Sequence, residues 1–253
     1  MGFLTISSAD REYGTDSNFT YTAPSNLSNY RKIRLHSAQL YRSFYNVTDG
    51  TGTAPPNNRF SFVISSSSSG GTTYDVTIPQ GNYTVSTMLG ALVSAINAVV
   101  APLTVTMALS TLTSKVTITL SDPTKYIRVL PLGPNVGLNL MLGFSRFNPT
   151  AYSLGSVTAP RVMNLQRYLA LYLNCSFVTG RSYLSVVKGK ANLGGIIPIS
   201  QEFGQVISYV NYLSDYLDVS SGLISQMNFR ITDDFDNDID LNGTVVNLTF
   251  ECY

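Results

Sequence analysis

The sequence predicts a mainly β protein, an antiparallel two-sheet sandwich interrupted by one helix. Three observations predict it. Apolar and polar side chains alternate at period two in several separate runs, which is the pattern of strands buried on one face. Only 12% of residues are charged, while Ser, Thr, Asn, Gly and Tyr are abundant, a mixture that suits strands and tight turns. One stretch alone carries helical spacing. The length of 253 residues fits one domain, or one domain carrying an insertion. A chain of this size buries about 70 to 75% of its unfolded surface, so it needs neither disulfides nor a structural metal.

Residues 1–30 are polar and contain Pro24 with several Ser and Asn, and they read as an extended N-terminal arm ahead of a body spanning 31–253. Between Arg31 and Leu40 the apolar positions are Ile33 and Leu35, then Ala38 and Leu40. That change of phase asks for a bulge near Ser37. Asn46 to Asn58 reads as a loop. Phe60, Phe62 and Ile64 mark the next strand, and Ser65 to Thr73, made only of Ser, Gly and Thr, reads as a mobile loop. After the turn Pro79-Gln80-Gly81-Asn82, either Thr84 or Ser86 is placed to cap a helix whose Leu89, Leu92, Ile96 and Val99 share a face that would lie across a sheet.

Strands resume at Val116, Ile118 and Leu120. In Leu165 to Phe177 the residues Leu169, Leu171, Leu173, Cys175 and Phe177 take one face, and Tyr168, Tyr172, Asn174 and Ser176 the other. Met227, Phe229 and Ile231 follow against Gln226, Asn228 and Arg230, and Val246, Leu248, Phe250 and Cys252 form the last strand. One buried face per strand means two sheets packed together rather than a parallel sheet covered on both sides.

No charge occurs between Asp75 and Lys115, but Pro102 breaks that run and Val85 to Val100 reaches only about 24 Å as a helix, too short for a membrane span. The N-terminus has neither the basic and apolar regions of a secretory signal nor the myristoylation pattern. Without an export signal, the seven Asn-x-Ser/Thr sequons are what a chain rich in these residues produces by chance.

Candidate chemistry is sparse. Lys plus Arg number 16 and Asp plus Glu 15, a net charge of +1, so there is no basic field for nucleic acid. His36 is the single histidine and reads as a solvated strand residue beside Lys32 and Arg34. Cys175 and Cys252 fall on apolar phases and read as buried thiols. Lys188-Gly189-Lys190 lacks the spacing of a P-loop, and Gly194-Gly195 is no dinucleotide fingerprint. Between Asp233 and Asp240 stand five acids in eight positions. The run fails the EF-hand pattern, because Ile239 and Val245 occupy the Gly and Glu places counted from Asp234. A looser calcium site on Asp234, Asp236, Asp238 and Asp240 is the alternative to an acidic turn between the last two strands. The expectation is a non-enzymatic protein without a cofactor. Outward tyrosines such as Tyr168 and Tyr172 suit either a protein interface or a sheet covered by its own loops.

A set of segments then carries a resemblance. Asn192-Leu193-Gly194-Gly195-Ile196-Ile197-Pro198-Ile199, Phe203-Gly204-Gln205-Val206-Ile207-Ser208-Tyr209, Ile231-Thr232-Asp233-Asp234 and Ile239-Asp240-Leu241-Asn242-Gly243 occur in that order. Ile6-Ser7-Ser8-Ala9-Asp10-Arg11, Ser17-Asn18-Phe19, Tyr45-Asn46-Val47, Ile78-Pro79-Gln80-Gly81-Asn82-Tyr83-Thr84 and Leu142-Gly143-Phe144 extend the pattern over nearly the whole chain. Together they resemble the penton or minor capsid proteins of virophages, polinton-like viruses and nucleocytoplasmic large DNA viruses. Thr244 to Asn247 depart from the pattern, which has an aromatic residue soon after Asn-Gly. The resemblance implies a single jelly roll with a small inserted α/β element at about 78–147. It implies five copies around the vertex of an icosahedral capsid, in contact with a double jelly-roll major capsid protein and assembled in the infected host cell. The arm would tie copies together, and outer loops such as Ser65 to Thr73 would meet a spike or host receptor. The other function class is a fibre-head or adhesin-type module that binds a receptor or glycan with calcium held at the acidic turn.

Overall fold

The structure, a computed structural model, describes residues 1–22, 30–50, 56–132, 137–145, 147–166, 168–178, 192–213, 215–219, 226–234 and 236–253. Lys188-Gly189-Lys190 lies outside these. Two compact units share the chain, one made of Met1–Phe44 with Tyr168–Tyr253 and the other of Tyr45–Arg167.

In chain order the first unit opens with β1 (Gly2–Ser7), a 3-10 turn at Ser8–Asp10, β2 (Tyr13–Gly14), β3 (Asn18–Thr22) and β4 (Lys32–Tyr41). The second unit holds β5 (Arg59–Ser65), β6 (Thr72–Thr77), α1 (Val85–Val100), β7 (Val105–Leu109), β8 (Val116–Leu120), β9 (Tyr126–Leu130), β10 (Ser153–Leu154) and β11 (Ser156–Thr158). The chain then returns to the first unit with β12 (Ala170–Cys175), β13 (Leu193–Pro198), β14 (Val206–Val210), β15 (Leu217–Asp218), β16 (Gln226–Thr232) and β17 (Val246–Cys252).

The first unit is a jelly roll. One antiparallel sheet runs β1-β17-β4-β14, with β15 also on β4, and the other runs β13-β12-β16-β3-β2. Each long strand therefore sits beside a strand distant in sequence, and the last strand, β17, is inserted between β1 and β4, which is the double Greek key. The second unit enters the chain in the connection from β4 to β12.

The phase change in β4 has its predicted cause. Thr249 pairs with Ser37 and Phe250 with Leu35, so the register steps over His36, and Ile33, Leu35, Ala38 and Leu40 all face the core. Between the sheets Phe229 is stacked on Phe19 at 5.5 Å and met edge-on by Phe177 at 5.5 Å, with Phe250 at 5.7 Å. Gly194 and Gly195 belong to β13. A Cβ on Gly195 would stand 2.7 Å from Leu35 Cδ2 of the facing sheet, so the glycine leaves the room that the Leu35 side chain fills.

Residues 1–22 are not an arm. β1 pairs residue by residue with β17 from Gly2↔Cys252 to Ser7↔Asn247, and β3 pairs with β16 while burying Phe19 completely. A strand covered on one face needs an apolar group only at alternate places, and Leu4, Ile6, Phe19 and Tyr21 supply them amid polar neighbours. Leu169 also departs from expectation. It precedes the start of β12 and is exposed, whereas Tyr168 is buried against the edge of Phe44 with ring centroids 5.6 Å apart.

In the second unit a four-stranded sheet β10-β9-β5-β6 and a three-stranded sheet β11-β8-β7 are both antiparallel, and α1 packs on β6 and β7. Thr84 is the cap, in a reciprocal box with Thr87. The buried stripe is Met88, Leu92, Ile96 and Val100 with Leu89, so Val100 takes the place expected for Val99, which is exposed. Asn97 clasps β7, its Oδ1 accepting from Val105 N at 2.6 Å and its Nδ2 donating to Val105 O at 3.2 Å. β5 lies here rather than in the roll, because it pairs with β6 and β9 and buries Phe60 and Phe62 in this core. The unit thus spans Tyr45–Arg167, wider than 78–147. Residues 66–71 form the β5–β6 turn, where Tyr152 Oη donates to Gly70 O at 2.5 Å and Lys125 Nζ to Ser66 Oγ at 2.8 Å. Among the described residues no helix is long and apolar enough to cross a membrane.

Candidate functional site

His36 sits at the bulge, half-buried on the outer face of its sheet, with the Phe3 ring edge-on at 5.5 Å. Cys175 and Cys252 are buried free thiols. Burial pushes both thiols up, and for Cys252 the nearby Glu251 charge adds to the effect, so neither is poised as a thiolate.

The acidic run forms the β16–β17 connection and is organised by Arg230. Its Nη1 meets Asp236 Oδ1 at 3.0 Å, its Nη2 donates to Asp236 O at 2.8 Å, and its Nε donates to Asp238. Burial works against the Arg230 charge, but the hydrogen bonds and charge of Asp238 and Asp236 outweigh it and hold the guanidinium above its ordinary value. Asp233 is buried and accepts from Asn237 N and Nδ2, both at 2.9 Å. Asp240 accepts from Asn242 N at 2.8 Å in an Asx turn. Asn242 and Gly243 then reverse the chain at φ +49° and +76°, with Thr244 N donating to Leu241 O at 3.0 Å. Of the four carboxylates considered for calcium, Asp236 and Asp238 meet on Arg230, Asp240 turns to Asn242, and Asp234 is exposed. Among the described residues no group of three or more His, Cys, Asp or Glu could hold a metal ion. The position of Arg230 on the outward phase of β16 was readable from sequence; its reach back to the turn was not.

A second polar cluster lies on the outer face of the sheet that contains β4. Arg34 of β4 and Glu251 of β17 form an ion pair at 2.5 Å, and both side chains are largely covered. Tyr253 Oη donates to Glu251 Oε1 at 2.9 Å, Arg34 lies over the Tyr216 ring at 5.1 Å, and Tyr216 meets Tyr253 edge-on at 4.6 Å. Arg34 Nη1 also donates to Leu213 O, which holds the segment after β14 over this face. Burial raises the Glu251 carboxyl, but the hydrogen bonds from Tyr253 and Arg34 overcome this and leave it below its usual value, while Arg34 is raised.

A depressed carboxylate contributes stability that is present above its unfolded pKa and lost as pH falls through its folded one. Glu251→Gln is accordingly expected to lower the urea midpoint at neutral pH. The gap to the wild type should narrow as pH drops through and below the carboxylate range; a gap constant with pH would show that the pair does not act through ionisation.

Around the cluster the same face exposes large apolar side chains: Phe3 on β1, Tyr41 on β4, Val206 and Val210 on β14, and Tyr212 and Leu213 beyond it, the last two 87% and 68% exposed. Of the two tyrosines that patterning offers for an interface, Tyr168 is buried and Tyr172 is half-buried on β12. The available signal was in Val206-Ile207-Ser208-Tyr209-Val210, an edge strand that is apolar on both phases.

The whole chain superposes on the mavirus penton protein, with a TM-score of 0.52, 10% identity and 99% of each chain covered. The fold is that of a penton protein. A chain in the structure of the Sputnik virophage aligns with a TM-score of 0.42 and 12% identity over 98% of this chain and 96% of that one. No family model and no curated protein matches the sequence.

Proposed function

We propose that this chain is a structural capsid subunit, with five copies forming the vertex of an icosahedral DNA virus or virophage particle. The observation that carries the reading is the complete jelly roll, aligned from end to end, insertion included, with a mavirus penton protein. The surface agrees with it: two aspartates of the acidic turn are paired with its own arginine, and the described residues expose an apolar sheet face of the kind that assembly buries. In this reading the vertex ring meets neighbouring trimers of a double jelly-roll major capsid protein, and turns such as residues 66–71 are offered to a spike or host receptor. The protein is then a component of the virion, put together in the infected cell.

Native mass measurement with negative-stain imaging of the purified protein tests the proposal. A five-fold ring is expected. A strict monomer at high concentration that is absent from particles would overturn it, as would a trimer, the form expected of a fibre head.

A further inference from the structure

We infer that the outer face of the β1-β17-β4-β14 sheet is buried between copies of this chain, an assignment that rests on the capsid-subunit reading and names the surface it uses. Register places the face in one piece. Val206 lies opposite Tyr41, Val210 opposite Ser37, and Ser37 opposite Thr249, which in turn faces Thr5 on β1. Tyr212 and Leu213 continue from the end of β14 over Arg34, and Phe3 closes the far side against His36.

Three features select a second copy as the occupant. The exposed parts of Phe3, Tyr41, Val206, Val210, Tyr212 and Leu213 together reach roughly 600 to 800 Å², close to what one partner contributes to a stable interface. The charged pair at the centre of the face, Arg34 with Glu251, is neutralised within the chain, so the surface asks for no oppositely charged partner and has the charge-poor centre of an interface. An edge strand that is apolar on its outer phase is a standing association hazard, and the surface present whenever this one is made belongs to another copy.

The test uses the full-length chain in three variants: Tyr212→Ser with Leu213→Ser, Val206→Lys with Val210→Lys, and, as control, Leu112→Ser in the second unit, where Leu112 is 92% exposed. Light scattering across a concentration series gives the mass, and circular dichroism melting verifies the fold. Because every altered side chain is exposed, folded variants are expected. Both face variants should weaken assembly by at least about a hundredfold, as loss of an apolar interface centre does, while the control assembles like the wild type. If the wild type forms a ring and folded face variants form it equally well, this inference fails and the capsid reading stands. If the face variants keep the ring but no longer bind a major capsid protein, the face serves that partner and the inference again fails. A wild type that is monomeric throughout defeats the capsid reading itself.

Discussion

Removal of residues 1–22 is expected to abolish cooperative folding of the first unit. The truncation deletes β1, which pairs with β17 from Asn247 to Cys252, and both β2 and β3, the end of the other sheet that lies against β16. It also deletes Phe19, which has no exposed surface and is stacked on Phe229. Loss of a buried phenylalanine alone costs about 3 to 5 kcal/mol. Domains of this size are stable by roughly 5 to 15 kcal/mol, and three strands leave with the ring. Near-ultraviolet circular dichroism and urea unfolding should show the aromatic signal of the first unit lost and its transition gone. A truncated chain that unfolds at the wild-type midpoint would restore these residues to the role of a detachable arm.

The same segment shows what sequence patterning can and cannot carry. β4, β12, β16 and β17 were legible because three to five apolar residues alternate in each, and even the bulge at His36 announced itself as a change of phase. β1 and β3 contribute fewer core side chains apiece, so amid Thr, Ser and Asn their alternation is too short to stand out. Pairing was the other hidden quantity. Phe60, Phe62 and Ile64 mark a strand, yet nothing local says that it joins β6 and β9 in the second unit rather than the roll. Thr84 could be read as a cap because capping acts within three residues, whereas Arg230 meeting Asp236 and Asp238 depends on the path of the turn. The exposed face on β14 is hidden from sequence for a related reason: an apolar residue on an outward phase looks like core until its exposure is known.

Phe229→Ala is expected to lower stability by about 3 to 5 kcal/mol, seen as a lower urea midpoint at unchanged slope. Phe229 is fully buried where both sheets meet, touching Phe19 of β3, Phe177 after β12 and Phe250 of β17, so its cavity is walled by rings held on three different strand segments that cannot all move inward. Phe3→Ala removes the same kind of side chain from the outer surface of the roll, where Phe3 is 61% exposed, and should change the stability of the isolated chain by no more than about 0.5 kcal/mol. Its effect should appear in assembly instead, where the lost ring area is area the neighbouring copy would have covered. Matching losses of stability in the two variants would mean that Phe3 is structural, and a Phe3→Ala protein that assembles like the wild type would remove it from the contact between copies.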